Sequence, residues 1–75
     1  MEKTAIHTEN IKLDQFLKLS GAVLTGGETK LLIAEGAVFV NGHPETARRR
    51  KLSAGDVVTV RTEEGEKEFL VYKGA

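Results

Sequence analysis

The stretch from Thr25 to Gly42 constrains this chain most, because it specifies a helix, its stop, a strand and a turn with almost no residues to spare. Thr25-Gly26-Gly27-Glu28 has the spacing of a capping box. In that arrangement the threonine hydroxyl accepts from the backbone N–H three residues on, and the glutamate reaches back. Lys30, Leu31, Leu32 and Ile33 carry the helix to Glu35, and Gly36 is its natural terminator, since a residue without Cβ tolerates positive φ. About three turns fit in that length. Val38-Phe39-Val40 then reads as a strand, and Asn41-Gly42 as the tight turn that leaves it. Pro44 has no N–H to donate, so a regular hairpin partner beyond the turn is not assured.

The flanking segments give the rest of the architecture. Leu13, Phe16 and Leu17 recur at i, i+3 and i+4, which predicts a helix with one apolar stripe, ended by Gly21. Asp14 lies in its first turn, where a carboxylate interacts favourably with the helix dipole, so its role reads as structural. Two short helices with a brief connection form an αα-hairpin. Val57, Val58 and Val60, a polar turn at Glu63-Glu64-Gly65-Glu66, and Phe69-Leu70-Val71-Tyr72 predict an antiparallel hairpin at the carboxyl end. Thr4 to Thr8 offers one more edge strand. The expected fold is α+β, an αα-hairpin packed on a small antiparallel β-sheet, with residues 1–75 as a single domain.

A chain of 75 residues has room for only a small core, so nearly every Leu, Ile, Val and Phe should matter to it. The absence of cysteine excludes disulfides and thiolate metal sites. The start at Met1-Glu2-Lys3-Thr4 has no apolar h-region, and no apolar run is long enough to span a bilayer. Neither a signal peptide nor a membrane partner is therefore expected, and the expected location is cytoplasmic.

The formal net charge of zero hides an uneven distribution. Residues 1–11 carry −1, residues 12–51 carry +3 from seven basic against four acidic side chains, and residues 52–75 carry −2. Arg48-Arg49-Arg50-Lys51 is the densest cluster, four consecutive cations whose mutual repulsion is relieved if they lie against phosphates. Lys12, Lys18 and Lys30 add to the same basic half. Together these residues nominate a phosphate-rich partner.

Over roughly residues 11–60 the order of residues resembles the S4 domain, a small αL-type RNA-binding fold. Lys12-Leu13-Asp14 with Leu17 is similar to the family's Arg-Leu-Asp opening, and Gly21 to the glycine between its two helices. Thr25 matches its helix-start serine, and Leu32-Ile33 its apolar pair. Gly36, Val38, Val40, Asn41 and Gly42 match its glycine, strand and Val-Asn-Gly turn, and Gly55-Asp56 its later Gly-Asp turn. The Thr-Gly-Gly-Glu and Arg-Arg-Arg-Lys segments look most like the stand-alone bacterial members of the YaaA and YbcJ type. What the resemblance implies is a non-catalytic protein that binds structured RNA, either rRNA or tRNA, with the ribosome as a candidate assembly. Where many S4 domains place Ser-Arg, this chain has Thr25-Gly26, and Lys12 stands in place of an arginine, so two bidentate phosphate donors are missing. For Gly26 and Gly27 two readings stand. Their bare N–H groups at a helix N-terminus suit the close approach of a phosphate, or they merely accommodate the interhelix turn, which the negative charge of Glu28 favours.

Enzymatic chemistry, metal binding and a cofactor are not expected. His7 and His43 lie in different segments without a metal-ligand spacing, and no nucleophile has a base nearby in sequence. Two other classes compete with RNA binding. Ubiquitin-like sulfur carriers of β-grasp type also run a strand into Val-Asn-Gly and show a later Gly-Asp turn, but they resemble one another in ending on Gly-Gly, whereas this sequence ends Lys73-Gly74-Ala75. A protein-interaction module would use the acidic hairpin at Glu63, Glu64, Glu66 and Glu68. A monomer is the default oligomeric state.

Overall fold

In the computed structural model, which describes residues 1–74, both helices start and stop where local chemistry dictates. Ala75, the terminal residue weighed against a Gly-Gly tail, lies outside the described residues. The order is β1 (Glu2–Ile6), β2 (Ile11–Lys12), α1 (Leu13–Leu19), α2 (Gly26–Ala34), β3 (Val38–Val40), β4 (His43–Pro44), β5 (Lys51–Leu52), β6 (Val57–Thr62) and β7 (Gly65–Lys73). In α1 the stripe of Leu13, Phe16 and Leu17 is completely buried, and Ser20 closes the helix one residue before Gly21.

At the start of α2 the Glu28 N–H donates to Thr25 Oγ1 at 3.3 Å. The Glu28 carboxylate reaches one residue further back than a capping box requires, accepting the Leu24 N–H at 3.0 Å. At the other end the Gly36 N–H donates to the Ile33 carbonyl (3.1 Å) and the Ala37 N–H to that of Leu32 (2.9 Å). That is the paired bonding of a Schellman stop, and it needs Gly36 at φ +73°, where a side chain would cost about 1–2 kcal/mol. The middle of α2 is less apolar inside than its sequence suggests. Its one fully buried residue is Thr29, Leu32 and Ile33 pack partly against the core, and Leu31 is 59% exposed. The Thr29 Oγ1 has no hydrogen-bond partner.

The main sheet has the order β1-β7-β6-β3-β4. Along β6 and β7, Val58, Val60, Phe69 and Val71 point into the core at every second position, as the pleat demands. Val38 and Val40 of β3 complete that inner face, against which α1 packs. Pairing is antiparallel except at the β1 edge, where Glu2–Ile6 run parallel to Phe69–Lys73. Hairpin turns force reversal on β3–β4 and β6–β7, whereas β1 and β7 are joined through the whole intervening chain and are free to align in parallel. Pro44 sits on the short edge strand β4, where its missing N–H faces no neighbour in the sheet.

The two turn motifs form one brace. Asn41 (φ +51°) and Gly42 (φ +84°) make the primed turn that a two-residue hairpin prefers. The Asn41 side chain donates to Asp56 Oδ1 (3.1 Å) and accepts the Val57 N–H (2.9 Å), while Asp56 Oδ2 accepts the Ser53 N–H (2.8 Å). Residues 15 positions apart are thereby locked together, which fixes where the segment between them must lie.

Candidate nucleic-acid interface

The segment between those turns carries the arginines, and backbone bonds fasten it to the front of α1. The first N–H groups of a helix lack intrahelical partners. Here the Leu13 N–H donates to the Arg50 carbonyl and the Asp14 N–H to the Arg48 carbonyl, both at 2.8 Å. The small β2–β5 ladder continues the attachment, setting Lys12 opposite Lys51 and Ile11 opposite the buried Leu52. With the carbonyls of Arg48 and Arg50 turned to the helix, all three arginines of this loop are exposed.

Glu45 holds the loop from the other side. One carboxylate oxygen accepts the Thr46 and Ala47 N–H groups, each at 3.1 Å, and the other accepts Arg50 Nη1 at 2.7 Å. Its side chain is only 12% exposed. The Arg50 guanidinium above all, aided by the Ala47 and Thr46 N–H groups and opposed by burial, holds the Glu45 carboxyl below its ordinary pKa. Sequence reading missed Glu45. The available signal was a lone acid five residues before Arg50 in an otherwise basic stretch.

The structure therefore sorts the candidate residues. Arg50 is engaged by Glu45, whereas among the described residues Lys12, Lys18, Lys30, Arg48, Arg49 and Lys51 are exposed and form no ion pair. Lys12, Lys51 and the Arg48–Arg50 loop share the N-terminal end of α1. Lys30 joins them from α2, lining one open groove with Ile33, Ala34, Thr46 and Arg48. Lys18 lies in the last turn of α1, outside that groove. Gly26 and Gly27 open α2 without positive φ, and a Cβ added at Gly26 would meet nothing within 4 Å. The interhelix turn does not require them to be glycine. They leave a flat approach to the helix N-terminus, with the Glu28 carboxylate beside it.

A second group of acidic residues lies elsewhere. Glu63 and Glu64 share a groove with Ser20 and Gly21, at the C-terminal end of α1. The seven residues of α1 thus separate a basic end from an acidic end by about 10 Å, and a net charge of zero coexists with a strongly basic face. Part of the acidic hairpin is spent internally, since Glu66 pairs with Arg61 at 2.9 Å and that guanidinium lies 4.8 Å from the centre of the Phe39 ring. No helix among the described residues is long and apolar enough to cross a membrane.

Two helices on a small sheet, with a basic loop bound to the start of the first, define a fold whose family the comparisons identify. The chain matches the S4 domain over residues 4–67 and belongs to that family. It is 46% identical over 56 residues to the probable ribosome maturation protein RlbA of Bacillus subtilis (strain 168), a match covering 75% of this chain and 79% of that one. It is 42% identical over 50 residues to YbcJ of Escherichia coli (strain K12), whose name marks it as a candidate RNA-binding protein, covering 67% and 71% of the two chains. Among solved structures, heat shock protein 15 of Vibrio cholerae, described as trimeric, shares the fold with a TM-score of 0.74 at 22% identity, over 89% of this chain and 67% of the other. The chain is thus a small protein built on the S4 domain.

Proposed function

We propose that this protein binds structured RNA, rRNA or tRNA, without catalysing a reaction, and that the contacts come from Lys12, Lys30, Arg48, Arg49 and Lys51, with Lys18 and the Gly26-Gly27 helix start at the margin. The observation that carries this reading is the gathering of unpaired cations around a loop whose shape is set before any partner arrives. Phosphate contacts of this kind supply affinity and orientation but no sequence readout. Specificity then comes from the spacing of phosphates across a compact RNA surface, because the face lacks the spaced aromatics on which unpaired strands stack. Phe16 and Phe69 are buried in the core, and Phe39 lies under Arg61.

The name of the relative from B. subtilis makes a precursor of the ribosome the first partner to test, with a monomer in the cytoplasm as the working form. The sulfur-carrier reading is set aside, since membership of the S4 family accounts for the same turn motifs. Crosslinking the protein to RNA in cells and sequencing the attached fragments tests the proposal. Reads concentrated in folded rRNA or tRNA segments are expected. Copurification of a protein partner undiminished by RNase, with no enriched RNA, would replace RNA binding by a protein-interaction role.

A further inference from the structure

From the groove between α2 and the basic loop we infer a subsite for one unpaired nucleotide of the bound RNA, with its base on Ile33 and Ala34 and its flanking phosphate between Lys30 and Arg48. This inference rests on the RNA-binding reading and adds the feature of the RNA that the surface selects. The groove brings apolar surface into the basic face. Ile33 and Ala34 supply its aliphatic floor, Lys30 lines it from α2, and Thr46 and Arg48 line it as the loop wall. Neither cation has an ion-pair partner among the described residues. The combination matches a ligand with a flat, weakly polar part next to a negative charge, which is the chemistry of a nucleotide.

The loop wall is fixed rather than mobile in its hydrogen bonding. The Thr46 N–H is held by Glu45, and the carbonyl of Arg48 by the Asp14 N–H. With its backbone anchored in this way, Arg48 presents its guanidinium beside the groove, where it can meet the flanking phosphate. The groove is open to solvent along one side, so it covers one face of a base and cannot enclose a small molecule. Tight small-molecule sites bury most of their ligand, and therefore a free nucleotide should bind too weakly to detect. The subsite works only when the surrounding phosphates are already held on Lys12, Arg49 and Lys51. It selects a bulge or loop nucleotide within folded RNA over an uninterrupted duplex.

Ala34→Leu provides the test, because leucine is a good helix former at this exposed position and its side chain fills the floor. Affinities are measured for an RNA hairpin with a single extrahelical nucleotide, for the same hairpin with that nucleotide abasic, and for the fully paired hairpin. The wild-type protein should prefer the bulged RNA over both others by roughly fivefold, which matches the low end of what stacking on an aromatic ring contributes and suits a smaller aliphatic surface. In Ala34→Leu that preference should vanish while affinity for the paired hairpin and the thermal midpoint are unchanged. Lys30→Ala should weaken the bulged RNA more than the paired one. Equal wild-type affinity for bulged and paired RNA, or a preference that survives Ala34→Leu, overturns the subsite and leaves RNA binding standing. Failure of the wild-type protein to bind any of the three hairpins, or tighter binding to an unstructured strand, would overturn the underlying reading as well.

Discussion

Replacing Glu45 by glutamine separates two views of the basic loop that predict opposite signs. If the carboxylate were only an unhelpful negative charge beside the cations, its removal would tighten RNA binding. If it sets the shape of the loop, binding weakens. The carboxylate accepts three hydrogen bonds, two from backbone N–H groups and one from Arg50, while exposing 12% of its side chain. Glutamine retains one acceptor oxygen but turns an NH₂ toward the guanidinium, so the charge-assisted bond is lost. Such bonds contribute about 1.5–3 kcal/mol, and with the Arg50 side chain 44% exposed the figure falls to about 1 kcal/mol. For a domain of this size that is a fall in thermal midpoint of about 4–8 °C. Freeing the backbone of one loop residue adds about 1–2 kcal/mol of ordering cost on binding, so the Kd for a folded RNA should rise by about 5- to 30-fold.

The same variant has a pH signature. Because the folded-state carboxyl of Glu45 is held below its ordinary value of 4.5, its stabilisation is complete above that pH and is lost as pH falls through the lower folded value. The gap in midpoint between wild type and Glu45→Gln should be full at neutral pH and close in acid. Calorimetry across pH, with fluorescence anisotropy on labelled RNA at neutral pH, measures both quantities. A midpoint within a degree of wild type together with equal or tighter RNA binding would refute the role assigned to Glu45.

Further outcomes follow from the helices and the face. Thr25→Ala removes the hydroxyl that caps α2 and should lower stability by about 1 kcal/mol; equal denaturation midpoints would mean that the cap contributes nothing. Thr29→Val replaces a buried hydroxyl without a partner by a methyl group of similar shape and should raise stability by about 1 kcal/mol or more, whereas a loss would show that the hydroxyl is satisfied in solution. An rRNA hairpin or a tRNA should bind more tightly than oligo-U of matched length at one salt concentration, and the reverse order would contradict recognition by shape.

What the sequence made legible was local chemistry. The Thr25 cap, the Gly36 stop, the Asn41-Gly42 turn and the β6–β7 hairpin each depend on residues within a few positions of one another, and each is found where expected. The parallel pairing of β1 with β7 was hidden, because its partners lie at opposite ends of the chain and no turn residue announces them. The interior of α2 was misjudged by its leucines. Leu31 looks outward while Thr29 is buried, since the two lie two positions apart on a helix and face different sides. In the candidate interface the Arg48–Lys51 run was visible as charge, but its attachment to α1 was not. That attachment uses backbone carbonyls of Arg48 and Arg50, which every residue has, so no side-chain pattern could reveal it. The division of labour among the arginines depended on Glu45, a single acid whose partners become evident only once the loop closes.

The salt dependence of RNA affinity tests the central claim most directly. If about four of the exposed cations at the front of α1 and on the basic loop meet phosphates, the slope of log K against log salt on helical RNA should be about −3 to −4. Replacing Arg48 and Arg49 by alanine, with the fold checked by its thermal midpoint, should flatten the slope by about two contacts and weaken binding at every salt concentration. An Arg48→Ala, Arg49→Ala protein that is folded and keeps the wild-type slope and affinity would show that RNA, if bound at all, lies elsewhere.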